Sequence, residues 1–225
     1  MEKHQPAFSS WSGGKDSCLA LYYAEKAGYN VDILFNMLTE DGRHSRSHGL
    51  YRYMLEIQAR AMNKRIVFGK ASWESYEKVF SRQLSSLKDK GIQTGVFGDI
   101  DLQEHRDWVE RVCGAKSLDA LLPLWGKGRE ELFDDFLAAG FRAIIVCVKE
   151  SALTPDWLGR ELTARAKNDF RKAGIDLCGE EGEYHSFVFD GPLFESPVAY
   201  STAKIQSKAG YSFIEIQPKG VHRAK

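Results

Sequence analysis

The sequence lacks several things that would each announce a function. It has no surplus of charge, since thirty-one lysines and arginines balance thirty-one aspartates and glutamates. No overall field therefore draws the chain to a nucleic acid or an anionic membrane, and neither is expected as a partner. It has no long hydrophobic run: "AIIVCV" at residues 143–148 is far short of the roughly 20 apolar residues of a membrane span. The opening "MEKHQPAFSS" lacks the apolar core of a secretory leader, so a cytoplasmic protein is expected. The four cysteines, Cys18, Cys113, Cys147 and Cys178, include no C-x-x-C pair. Their scatter argues against a zinc site, an iron–sulfur cluster or a redox pair, and buried thiols are the expectation. Internal repeats, low-complexity tracts and a hydrophilic linker are also missing.

What is there suffices for one sizeable core and a smaller lobe: 225 residues, 43% hydrophobic and 28% charged. Strand candidates at residues 7–11, 31–37, 65–68, 95–100 and 141–148 alternate with helix candidates at 15–27, 50–62, 75–90, 105–113 and 130–139. Gly91 and Gly140 supply stop signals. This alternation predicts an α/β fold, a five-stranded parallel doubly wound sheet with right-handed crossovers. Ligands of such sheets bind beyond the strands' carboxyl ends, where strand order reverses. After about residue 150 the pattern changes. Residues 156–172 read as one helix with Pro155 in its first turn, and residues 198–207 and 211–217 alternate as strands. The expected division is a nucleotide-binding domain over residues 1–149 and a smaller α+β lobe over 150–225. An exposed edge of that lobe could support a homodimer.

Directly after the first strand comes "SGGKDS", Ser12 to Ser17. It is not a Walker A loop, because Ser9 stands where that motif needs glycine and Asp16 where it needs a hydroxyl. Nor is it G-x-G-x-x-G, because its glycines are adjacent. Its parts still suit an anion. Gly13 and Gly14 let the backbone approach a ligand, and a helix starting near Lys15 aims backbone N–H groups at the loop. Ser12 and Ser17 add hydroxyls, and Lys15 adds a point charge. Asp16 beside phosphate calls for a divalent cation between them, with magnesium the natural choice.

This stretch resembles the PP-loop of the ATP pyrophosphatases, whose pattern is S-G-G-x-D-S. The resemblance implies an adenine-nucleotide alpha-hydrolase-like, HUP-type domain that uses ATP and Mg²⁺ and releases AMP and pyrophosphate. It also implies that Ser10, Ser12, Gly13, Gly14, Lys15, Asp16 and Ser17 contact the nucleotide, with Lys15 and Asp16 catalytic and Asp16 the candidate magnesium ligand.

The second motif is "GEEGEYHSFVFDGPLF", Gly179 to Phe194. Glu180, Glu181 and Glu183 crowd around Gly182, which suggests a turn aiming carboxylates inward. Taken alone it reads better as a solvated acidic turn leading into a strand at residues 186–189. With the PP-loop upstream, it closely resembles the diphthine–ammonia ligase family, whose members carry G-E-G-G-E-[YF]-x-[ST]-F followed by D-x-P-L-F; here Glu181 replaces one glycine. "GDI" at residues 98–100, "PLW" at 123–125 and "DWLGREL" at 156–162 also match, in the same order. The resemblance implies ammonia joined to an acceptor carboxylate through an acyl-adenylate. Glu180 and Glu183 would act in catalysis, and Gly182 and Tyr184 beside them would bind substrate. The diphthamide branch acts on modified translation elongation factor 2.

The chain departs from that branch where the acceptor is expected. "GRHSRSHGL" at residues 42–50 replaces E-S-Y-M-[FY]-[HQ], and "EHR", Glu104, His105 and Arg106, replaces Y-Q-R. A small-molecule carboxylate such as a corrinoid is therefore an alternative acceptor. His105 can move a proton near neutral pH and is a catalytic candidate; Asp99, Glu104, His105 and Arg106 are acceptor-side candidates. Arg43 and Arg46 suit a phosphate- or carboxylate-bearing acceptor, while His44 and His48 have metal-ligand spacing but no evident third ligand. Trp125 and Trp157 read as packing residues. Two other functions compete. Sulfur transfer to tRNA would need reactive cysteines, and a non-catalytic ATP or AMP sensor would bind nucleotide without consuming it.

Overall fold

The computed structural model of the chain describes residues 5–46 and 48–219, so part of the N-terminal stretch read above for a leader lies outside the described residues. By its internal contacts the chain forms two compact units. The first contains residues 5–12, Asp16–Arg46 and Lys64–Gly128. The second contains Gly13–Lys15 and residues 48–63 and 129–219. Among the described residues no helix is long and apolar enough to cross a membrane.

The first unit is built on five parallel strands: β1 (Pro6–Ser10), β2 (Asn30–Leu38), β3 (Arg65–Lys70), β4 (Thr94–Val96) and β5 (Asp119–Leu121). Their spatial order is β3-β2-β1-β4-β5. The order reverses between β1 and β4, so the site-bearing edge expected of such a sheet is where those two strands end. β2 is buried along nearly all its length, as a strand covered on both faces must be. The helices α1 (Lys15–Lys26), α3 (Tyr76–Asp89) and α4 (Gln103–Gly114) follow β1, β3 and β4. α3 buries Phe80, Leu84 and Leu87, and α4 buries Val109, Val112 and Cys113. These are helical spacings, and both stripes join Phe8, Ile33, Phe35 and Phe97 in one core. Phe8 meets Phe35 and Phe97 edge-on, with ring centroids 6.1 and 6.0 Å apart.

The second unit contains α2 (Arg52–Ala61), α5 (Arg129–Ala138), α6 (Ala164–Ala173) and an antiparallel sheet. Its strands are β6 (Arg142–Lys149), β7 (Tyr184–Asp190), β8 (Tyr200–Lys208) and β9 (Tyr211–Pro218), in the order β7-β6-β9-β8. Two expectations are corrected here. The apolar run at 141–148 is not the fifth parallel strand. It is β6, antiparallel to both β7 and β9, and the fifth parallel strand is the three-residue β5. A strand buried on both faces reads as a continuous apolar run whichever way its neighbours point, and β5 is too short to show a period. Nor do residues 156–172 form one helix. Pro155–Trp157 is a single 3-10 turn, Gly159 adopts φ +80°, and residues 159–162 bond along β6, Gly159 N–H to Ile145 O and Leu162 N–H to Ala143 O. Only then does α6 start, capped by Thr163, whose hydroxyl accepts from Ala166 N–H at 3.2 Å, and it ends at Gly174 with φ +69°.

The first unit's core leaves no room at Gly95 on β4. A Cβ there would lie 2.7 Å from Phe8 and 2.8 Å from Phe97. Gly95→Ala is therefore expected to destabilise the protein by about 1–3 kcal/mol, the usual cost of overpacking, as a lowered urea midpoint with unchanged m.

Candidate functional site

In the first unit, the chain leaving β1 passes Ser10 and Ser12 and enters α1 with Asp16 in its first turn. The Ser12 and Ser17 hydroxyls bond each other at 3.1 Å, making a hydroxyl pair at the helix start. The loop after β4 packs directly on this turn. A Cβ on Gly98 would lie 2.9 Å from the Asp16 carbonyl carbon and 3.0 Å from Ser17 N, so only glycine fits. That contact sets Asp99, the next residue, beside the start of α1. Asp99 bonds His105 Nδ1 at 3.2 Å, and Glu104 and His105 are exposed on the first turn of α4. Arg106 bonds Glu110 one turn along at 2.7 Å and lies 5.0 Å over Trp125, so it is held on its own helix surface.

The segment after β2 is an ordered turn. Ser45 bridges back to Leu38, Arg46 N–H donates to Met37 O, and Asn36 Nδ2 ties Trp11 O at 2.6 Å to Ser45 Oγ at 3.2 Å. His44 therefore sits in a β-bridge and shares no helical face with His48. Among the described residues no group of three or more His, Cys, Asp or Glu could hold a metal.

In the second unit, the middle of the glycine motif meets the acidic motif. Gly13 has φ +84°, and its carbonyl accepts from Val188 N–H and from Gln58 Nε2, each at 3.0 Å. Gln58 is fully buried and also donates to Val188 O at 2.7 Å, so one amide ties the loop to β7. Lys15 is only 4% exposed. Its backbone N–H, expected to await a ligand, donates instead to Ser186 Oγ at 3.1 Å, and its ammonium donates to Cys178 O. The ammonium also lies 5.6 Å from the Tyr184 ring centroid. That ring ends a stacked column: Tyr184 on Phe170 at 4.8 Å, Phe170 on Trp157 at 4.7 Å, and the Arg160 guanidinium 4.0 Å over Trp157. Trp157 is thus a packing residue, as its type suggests.

The acidic loop is held by its own backbone. Asp176 accepts from Cys178 and Glu180 N–H and from Arg129 at 2.9 Å. Gly182 takes φ +79°; Glu183 is buried and accepts from Glu181 N–H at 3.1 Å; Glu180 is half-buried and Glu181 exposed. The Tyr184 hydroxyl donates to Leu177 O. All four cysteines are buried, and burial pushes the Cys113 and Cys147 thiols up to about 12.

Gln58 lies outside every motif, His48 lies in the segment that departs from the family pattern, and His185 and Ser186 lie inside the second motif, where residue type alone gave them no role. Gln58 left one trace in the sequence, as a polar residue at helical spacing from buried Met54 and Leu55. The His48 imidazole packs on Gly14, where a Cβ would come within 2.6 Å of its Nε2. It meets His185 in a tilted contact with ring centroids 4.5 Å apart, and its Nδ1 is buried without a partner among the described residues. Burial, then His185, then Lys15 hold His48 well below the ordinary histidine value; burial, then Lys15, bring His185 to about 4. Both rings are therefore neutral at pH 7. The unfolded chain binds these protons near pH 6.5 and the folded chain does not, so stability is full above 6.5 and falls as pH drops toward 4. The expected slope is up to about 1.4 kcal/mol per pH unit for each histidine. Urea titrations between pH 7 and pH 4.5 measure it, and His185→Gln should flatten the profile.

Comparisons with known proteins agree with this convergence of motifs. Residues 7–119 match the N-terminal domain of diphthamide synthase, and residues 128–220 match its C-terminal domain. A Homo sapiens protein named diphthine–ammonia ligase is 26% identical over 231 residues, covering 91% of this chain and 86% of its own. Its namesake from Danio rerio is 29% identical over 214 residues, covering 83% of each. A third, from Schizosaccharomyces pombe, is 28% identical over 86% of this chain, which spans only 36% of that longer protein. With both domain models matched in order, the chain belongs to the diphthamide synthase family, whose relatives named here are ligases.

Proposed function

We propose that this protein is an ATP-dependent ammonia ligase that adenylates an acceptor carboxylate and then amidates it, releasing AMP and pyrophosphate. The observation that carries this reading is the meeting of Lys15 with the acidic motif through Cys178 O and the Tyr184 ring. Two motifs more than 150 residues apart in sequence share one buried cation, as expected if a phosphate-gripping lysine and an amine-handling acidic loop serve one reaction.

In this reading Ser12 and Ser17 donate hydroxyl bonds to phosphate oxygens, and Lys15 offsets charge that builds on the departing pyrophosphate. Ser186 Oγ and Cys178 O hold the Lys15 donors in the structure described, so nucleotide competes with those bonds or leaves them in place. Asp16, half-exposed in the first turn of α1, would hold Mg²⁺; a single carboxylate suits magnesium, which commonly keeps one or two carboxylates plus phosphate oxygens and water. When bound, that ion adds charge neutralisation at the triphosphate. The acceptor carboxylate oxygen attacks the α-phosphorus. Ammonia, oriented by Glu180 and Glu183, then attacks the acyl carbon and displaces AMP, with His105, steadied by Asp99, the candidate for moving a proton.

The acceptor of the named relatives is diphthine, and we extend the carboxylate class, though not yet its bearer, to this chain. Sulfur transfer fits poorly, since thiols raised by burial supply little thiolate.

The test is pyrophosphate and AMP formation from ATP with ammonium. Arms contain diphthine-bearing elongation factor or a panel of small carboxylates. Acceptor-dependent turnover is expected in one arm, with Lys15→Ala and Asp16→Ala slowing it about 100-fold or more. Nucleotide binding with no acceptor-dependent pyrophosphate in any arm would instead identify a sensor.

A further inference from the structure

The first unit holds one cation whose arrangement the reaction above does not use. Arg46 closes the turn after β2, its backbone fixed to Met37 O. Its Nη1 donates to Ala71 O at 2.9 Å, and its guanidinium lies 4.2 Å over the Trp73 ring. Both anchors follow β3, so the cation bridges two carboxyl ends of the parallel sheet. Among the described residues it has no carboxylate partner, and its Nε is buried with nothing to donate to. Arg43, by contrast, is exposed on the same turn. Trp73 is 72% exposed, an unusual position for so large an apolar ring. Tyr76 stands next to it, ring centroids 5.8 Å apart, and is itself stacked into the core on Phe80. Arg46 and Asp99 both act on the Tyr76 hydroxyl electrostatically, which sets the three groups in one neighbourhood, and Asp99 is already bonded to His105.

A guanidinium held from one side by a ring and a carbonyl, with donors left over and no acid to meet them, is arranged for a planar anion. We propose that Arg46, walled by Trp73 and Tyr76, is a carboxylate-binding subsite that selects the acceptor by its acid group. This rests on the ligase reading for its biological meaning, but its binding test needs no nucleotide.

The experiment follows the Arg46 Nε–H and Trp73 Nε1–H signals in ¹H–¹⁵N spectra of the full chain. Propionate is titrated at constant ionic strength against chloride, with propionamide as the neutral isostere and inorganic phosphate as the competing anion. A saturable shift with propionate, absent with propionamide and weaker with phosphate, is expected. Arg46→Gln should weaken propionate binding about tenfold, the loss of one charge-assisted bond, and Trp73→Ala about threefold, the loss of its cation–π support. A response equal to that of chloride, tighter binding of phosphate, or variants that bind propionate as the parent does would each overturn the proposal. Loss of turnover in Lys15→Ala with propionate binding intact would leave the subsite standing, whereas turnover without propionate binding would remove the subsite and leave the ligase.

Discussion

The burial of one ammonium group, that of Lys15, sets the terms for much of the second unit. A lysine taken out of water is costly unless its charge is met by a hydrogen-bonding partner. Here the Cys178 carbonyl accepts from it and the Tyr184 ring faces it. Neither partner exists until the acidic loop is closed, because that loop positions the carbonyl and the hydroxyl bond to Leu177 O aims the ring. The aromatic column behind Tyr184 extends the requirement to Phe170 on α6 and to Trp157 in the "DWLGREL" stretch. That stretch thereby has a physical role its residue types did not disclose: its backbone pairs along β6 while its tryptophan backs the ring that faces Lys15. The same ammonium helps keep His48 and His185 neutral.

The parallel sheet was legible because its strands and helices differ sharply in period. β2 reads as a buried run, α3 carries its buried residues at i, i+4 and i+7, and α4 carries its own at i, i+3 and i+4. The exchange of β5 for β6 shows where periodicity stops. A six-residue apolar run states that both faces of a strand are covered and says nothing about its neighbours' direction. The false long helix has a different origin. Pro155 and the charged residues that follow look like a helix start, yet Gly159 takes a left-handed turn that ends helical winding and hands residues 159–162 to the edge of β6.

At the site, residue types and spacing revealed what could touch a ligand, and tertiary structure alone revealed what holds those residues. Gly13 and Lys15 stand out in any reading of "SGGKDS", but what binds them lies in other elements: Gln58 on α2, outside any motif, and Ser186 within the second motif, where its residue type does not disclose the contact. Gly98 is an instance where the family stretch and the structure explain each other. "GDI" begins with glycine because any side chain would strike the first turn of α1. The inward carboxylates inferred around Gly182 divide on inspection, with Glu183 buried against its own loop and Glu181 in solvent.

A sequence with no net charge hides how its individual charges are used. Many arginines here are matched by acids: Arg52 by Glu56, Arg106 by Glu110, Arg111 by Glu77, Arg129 by Asp176, Arg142 by Glu161 and Arg160 by Asp169. The bidentate Arg111–Glu77 pair even draws in the Trp108 indole, and it holds the Glu77 carboxyl down to about 2. Exposed pairs of this kind contribute little stability, but each removes a cation from the set available to a ligand. Arg106, the arginine of "EHR", is paired in this way at the position where an acceptor contact was expected from sequence. Arg46 is anchored instead by a ring and a carbonyl, which hold it in place without neutralising it. Global balance therefore coexists with local imbalance, and the carboxylate subsite proposed at Arg46 rests on that local imbalance.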